Sequence, residues 1–96
     1  MKLYLFTQDN CPMCYRVQRY VESKLTEDQQ SKLSFVPLFT DNGEYTELAN
    51  KLDQKASPIL LVLSESDEIL GEFLGYESII EHLQATLDAY TYAHPE

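Results

Sequence analysis

LYLFTQDNCPMCYRVQRYVESKL, residues 3–25, is the stretch that decides how this chain folds. Leu3-Tyr4-Leu5-Phe6 is an unbroken apolar run, the pattern of a strand covered on both faces. Thr7–Asn10 is polar and reads as a loop. Cys14, Val17, Val21 and Leu25 then recur at steps of three and four, with Arg16, Gln18, Arg19, Glu22 and Ser23 between them. That spacing predicts an amphipathic helix over about 12–27. Pro12 suits its first position, where no amide donor is needed. Two cysteines, Cys11 and Cys14, therefore stand where a strand hands over to a helix.

They are the chain's full complement of cysteines. Two cysteines placed at random would fall three apart roughly 2% of the time, so the pair reads as a motif. A bond between them closes a loop too small to staple a fold, which leaves chemistry as its purpose. With Pro12 as first helical residue, Cys11 is the cap, and its sulfur faces unpaired amides, those of Met13 and Cys14. Those amides and the positive helix end favour thiolate over thiol. Arg16, one turn along, is a further positive charge nearby. Cys14 lies on the apolar stripe and is expected to be more buried and less acidic. Cys11 is thus the candidate nucleophile, and Cys14 the thiol that resolves the mixed disulfide.

Working outward, Leu33–Phe39 reads as a second strand, with Pro37 arguing for an edge position. The chain turns around Thr40–Glu44, and Tyr45, Leu48, Ala49 and Leu52 form the stripe of a short helix. Asn42-Gly43 could signal a hairpin, but the spacing after it is helical, so the helix is preferred. Ile59–Leu63 is the most apolar run and reads as a central strand. Ser64–Glu68 is a polar turn of hairpin length, and Ile69–Leu74 a second edge strand. Tyr76, Ile79, Ile80, Leu83, Leu87 and Tyr90 mark a last helix, and Thr91–Glu96 a frayed tail. Right-handed crossovers would make the first three strands parallel, and the short turn would set the fourth antiparallel to the third. The expected class is α/β, in the order βαβαββα, a four-stranded mixed sheet flanked by helices.

Ninety-six residues are expected to form one domain spanning 1–96. The 44% hydrophobic content supplies a core, so disorder is not expected despite a net charge of −9. The charge is uneven. Residues 1–24 carry Lys2, Arg16, Arg19 and Lys24 against Asp9 and Glu22, whereas residues 56–96 carry eight acids and no Lys or Arg. Such a surface repels phosphate backbones and anionic lipid, so neither nucleic acid nor membrane is an expected partner. The run Leu3–Phe6 is too short for a signal-peptide core, and no apolar stretch approaches twenty residues. A cytoplasmic location is expected. Zinc wants four ligands, and His82 and His94 are the only histidines, so no intrachain metal is expected, though a cluster shared between chains stays open. Glu65, Asp67 and Glu68 read as solvated turn residues. Three glycines form no phosphate-cradling loop.

Cys11-Pro12-Met13-Cys14 after the first strand, Ser57-Pro58 before the third, and the order of elements together resemble the thioredoxin superfamily from Lys2 to about Tyr90. The resemblance implies that Pro58 is cis and lies beside the dithiol, where the backbone of Ser57 pairs with an extended peptide or with glutathione. The short chain and Cys-Pro-x-Cys are similar to a glutaredoxin. Gln8 stands where that branch has lysine, Ala56-Ser57 where it has threonine–valine, and Leu74-Gly75-Tyr76-Glu77 where it has paired glycines and an acid. Gly75 and Tyr76 join Ser57 and Pro58 as candidate substrate-binding residues. The stretch Leu48–Gly75 is closer to a thioredoxin, but the tryptophan and glycine around the thioredoxin dithiol are absent, and Leu5 replaces its buried acid. The chain looks like a hybrid of the two branches.

The function implied is a thiol–disulfide oxidoreductase that reduces protein disulfides or glutathione mixed disulfides. It would hold no bound cofactor, with glutathione or a reductase as candidate electron donor. Two other classes compete: a thioredoxin-fold binding module with incidental cysteines, and an inter-chain iron–sulfur or metal scaffold.

Overall fold

The structure, a computed structural model, describes residues 1–93. Its elements are β1 (Lys2–Thr7), α1 (Pro12–Lys24), α2 (Glu27–Ser31), β2 (Leu33–Pro37), α3 (Glu47–Lys51), β3 (Ile59–Leu63), β4 (Ile69–Leu74) and α4 (Tyr76–Ala93). The four strands form one mixed sheet in the order β2-β1-β3-β4. Helices cover both of its faces. Side chains alternate across a strand, so a strand in such a sheet is apolar at every position. Leu3, Leu5, Leu60 and Val62 face Val17, Val21 and Leu25 of α1 and its C-cap, and Ile79, Leu83 and Leu87 of α4. Phe6, Ile59, Leu61 and Leu63 face the other way, onto Leu38, Ala49 and Leu52 around α3.

β2 and β4 are the edges, as Pro37 and the polar content of residues 69–74 suggested. The strand directions differ from expectation. β2 is parallel to β1, but β3 runs antiparallel to β1, with Ile59 opposite Phe6 and Leu63 opposite Lys2. A right-handed crossover needs a helix that returns the length of the sheet. α3 has five residues and advances about 7.5 Å, less than half the ~17 Å spanned by a five-residue strand. The chain therefore starts β3 at the end where β2 stopped. β4 is antiparallel to β3, as expected from the short turn.

Two local boundaries also moved. The helix expected over 12–27 ends at Lys24, Leu25 turns extended, and Thr26 starts α2. Thr26 Oγ1 accepts from the Gln29 amide at 3.1 Å, while Gln29 Oε1 accepts from the Thr26 amide at 3.0 Å. This reciprocal capping box nucleates a new helix and breaks the old one. Second, β2 stops at Pro37, and Phe39 forms an isolated antiparallel bridge with Tyr45. Gly43, at φ +80°, donates to the Thr40 carbonyl at 3.0 Å, and the Thr40 amide donates to Glu44 at 2.7 Å. The Asn42-Gly43 hairpin set aside from sequence is thus present in miniature. Tyr45 sits in that bridge, and α3 begins only after Thr46. Residues Thr91–Ala93 continue α4; His94–Glu96 lie outside the described residues.

Two of the three turn acids, Glu65 and Asp67, are ion-paired, not merely solvated. Lys2 Nζ reaches Asp67 at 2.7 Å and Lys51 Nζ reaches its other oxygen at 3.6 Å, while the Met1 ammonium pairs with Glu65. The hydrogen bond from Lys2 lowers the carboxyl pKa of Asp67 below its ordinary value, and the same bond raises that of Lys2.

Candidate active site

β1 delivers the chain to Thr7, and Asn10 turns it at φ +58°, a left-handed conformation that asparagine tolerates. Cys11 then adopts extended angles (φ −114°, ψ 101°) as the N-cap of α1, with Pro12 at the first helical position. Its carbonyl accepts from the Tyr15 amide at 3.1 Å, opening the helix. Its sulfur accepts from the Cys14 amide at 3.1 Å. Of the two amides expected there, Cys14's makes the bond. Cys11 and Cys14 are joined as a disulfide, their Cα atoms 5.2 Å apart.

Cys11 sits at a helix start. The first turn of α1 contains no acidic residue, so no side chain of that turn offsets the partial positive charge of the helix N-terminus at the sulfur. The Arg16 side chain packs against α4. Its guanidinium lies over the Tyr76 ring, 4.3 Å from the centroid, with Nη1 3.8 Å from Met13 Sδ. Burial separates the two cysteines less than the helical stripe suggested: Cys11 is 7% exposed and Cys14 4%. Position in the helix, cap against third residue, is what distinguishes them.

Ser57-Pro58 is a cis peptide. Because Ile59 pairs with Phe6, Pro58 stands at the end of the sheet from which the Cys11 loop springs. The Pro58 carbonyl accepts from the Gly75 amide at 3.0 Å. Gly75, at φ +91°, in turn accepts from Ile79 and caps α4. Tyr76 begins α4 beneath Arg16. Pro58, Gly75 and Tyr76 are thus linked to one another and to α1, and Ser57 joins them through the cis bond. The Ser57 hydroxyl is buried with no hydrogen-bond partner. Met13, Arg16 and Leu74 to Ser78 line an open groove on this flank.

The opposite flank holds a second cleft that sequence reasoning missed. It occupies about 550 Å³, and Cys14, Tyr15 and Gln18 of α1 face the loop after β1 and the bridge after β2 across it. Asp9 and Phe39 were visible as loop and strand residues, but nothing in their local pattern says that the two loops meet.

His82 is a packed residue. Its ring stacks on Phe73 at 4.2 Å and 12°, with Nδ1 2.8 Å from the Ser78 carbonyl oxygen. Among the described residues no three His, Cys, Asp or Glu side chains are grouped to hold a metal ion, and no helix is long and apolar enough to cross a membrane.

Sheet order, helix placement and the capped cysteine pair define a thioredoxin-like fold with a Cys-x-x-Cys disulfide at the start of its first helix. Among solved structures the chain is similar to the thioredoxin of Trichomonas vaginalis, with a TM-score of 0.61 and 19% identity. The match covers 92% of this chain and 77% of that one, and at such identity it speaks for the fold. No family model and no curated protein matches the chain in sequence.

Proposed function

We propose that the chain is a thiol–disulfide oxidoreductase in which Cys11 attacks and Cys14 resolves. The observation that carries this is the Cys11 sulfur at the N-cap of α1, bonded by the Cys14 amide and free of any first-turn acid. An acceptor sulfur in that place is stabilised as the thiolate, which is the nucleophile in disulfide exchange.

In the reduced protein the Cys11 thiolate attacks one sulfur of the substrate disulfide. The substrate S–S bond breaks, a Cys11–substrate bond forms, and one substrate thiolate leaves. Cys14, deprotonated, then attacks the Cys11 sulfur, and the second substrate thiolate leaves. Two electrons have passed to the substrate, which takes up two protons, and Cys11–Cys14 is oxidised. An external dithiol or two molecules of glutathione restore it. Ser57 and Pro58 would align the backbone of the incoming disulfide, with Gly75 and Tyr76 flanking it. A working dithiol suits a reducing compartment such as the cytoplasm.

Turnover of insulin disulfides tests the reading. The reduced protein should precipitate insulin B chain, and Cys14→Ser should accumulate a covalent protein–substrate adduct visible by mass spectrometry. Absence of both the activity and the adduct would remove this function.

A further inference from the structure

The cleft of about 550 Å³ beside the dithiol takes no part in the steps above. Cys14 forms part of its wall, so whatever occupies it lies against the disulfide. Its charged lining residues are Asp9 and Asp41, and no Lys, Arg or His lines it. Both acids sit on exposed loop positions. The rest of the lining includes two aromatic side chains, Tyr15 and Phe39. Tyr15 is 58% exposed, and Phe39 is held from behind by Tyr45 at 4.8 Å between ring centroids. Arg16 is on the other flank, over Tyr76. The dithiol therefore lies between an acidic aromatic cleft and a groove that carries the guanidinium.

Carboxylates with open aromatic faces are the chemistry that takes up a cationic side chain. The rings attract the charged head electrostatically, and the long aliphatic stems of Lys and Arg pack on apolar surface. The volume lies within the range of pockets that hold small ligands. Resting on the oxidoreductase reading, the geometry points to a specificity site: this cleft selects polypeptide disulfides in which Lys or Arg neighbours the reacting cysteine, and Asp9 and Asp41 receive the cationic head. Anionic disulfides, oxidised glutathione with its carboxylates among them, are disfavoured by the same two charges.

Single-turnover mixing of pre-reduced protein with three disulfide peptides tests this. The peptides are identical except for Lys, Gln or Glu beside the cysteine. The second-order rate constants should fall in the order Lys, Gln, Glu, with about three- to tenfold between the ends, the size exposed ion pairs produce. The gap should close near 1 M salt, where screening acts within about 3 Å. In the Asp9→Asn/Asp41→Asn double variant, isosteric at exposed positions, the Lys-to-Glu ratio should approach one. Equal rates for the three peptides would overturn the proposal while leaving the oxidoreductase intact. So would an order that survives in the double variant. If none of the peptides were reduced, the oxidoreductase itself would fall and this proposal with it.

Discussion

Replacing Cys11 by serine and by alanine separates the cap from the chemistry. The Cys14 amide donates to the Cys11 sulfur at 3.1 Å in a position only 7% exposed, so water is poorly placed to substitute for the acceptor. A serine hydroxyl can accept that bond; a methyl group cannot. Losing a good N-cap to alanine costs roughly 0.5–2 kcal/mol, and leaving a buried amide unpaired moves the cost toward the upper part of that range. We expect Cys11→Ser to be more stable than Cys11→Ala by about 1–2 kcal/mol, or about 4–16 °C in Tm for a domain of this size. Urea titration and thermal melts followed by circular dichroism, both with reductant present, measure the difference. In the insulin assay both variants should be inactive, because neither has a sulfur at position 11. Equal stability of the two variants would show that residue 11 caps nothing. Turnover by Cys11→Ser would show that the nucleophile lies elsewhere.

Other outcomes follow from the core and the ion pairs. Leu61 is fully buried in β3 among Phe6, Leu38 and Leu63, so Leu61→Ala should cost about 2–5 kcal/mol in urea unfolding. Tyr92→Ala, at an 89% exposed position, should stay within about 0.5 kcal/mol of the parent; equal effects of the two would contradict the assignment of the core. Asp67 has its pKa lowered by Lys2, so its stabilising contribution is present above the ordinary carboxylate range and lost as pH falls through the lowered folded value. The stability gap between the parent and Asp67→Asn, followed by thermal melts, should hold at neutral pH and vanish in strong acid. A gap that widened on acidification would reverse the sign of this linkage.

Local signals were enough to locate every strand and the cysteine pair. Ile59–Leu63 was apolar throughout because both of its faces are covered, and Pro37 marked an edge because it lacks a ladder donor. Cys11 was legible as a cap because Pro12 follows it. What failed was non-local. The direction of β3 depends on how far α3 travels, and α3 proved to be one short turn and a half instead of a full crossover. The break at Leu25 lies in Thr26-x-x-Gln29, a capping-box pattern that went unread because the apolar stripe continues through Leu25. Arg16 was placed by its distance along the helix from Cys11, whereas a ring supplied by α4, sixty residues on, decides where its guanidinium lies. The acidic cleft required two loops to be brought together, which no window of sequence contains.

The reversed direction of β3 has a spatial outcome. β1, β2 and β4 all finish, and β3 begins, at one rim of the sheet, so Thr7, Pro37, Pro58 and Gly75 are neighbours in a single tier. Every strand thereby contributes a boundary residue to the rim from which the Cys11 loop springs. The opposite rim carries the Ser64–Glu68 turn and its ion pairs with Lys2, Lys51 and the first residue. The two rims are thus a strand length apart, and a substitution at one is separated from the other by the full layer of buried strands.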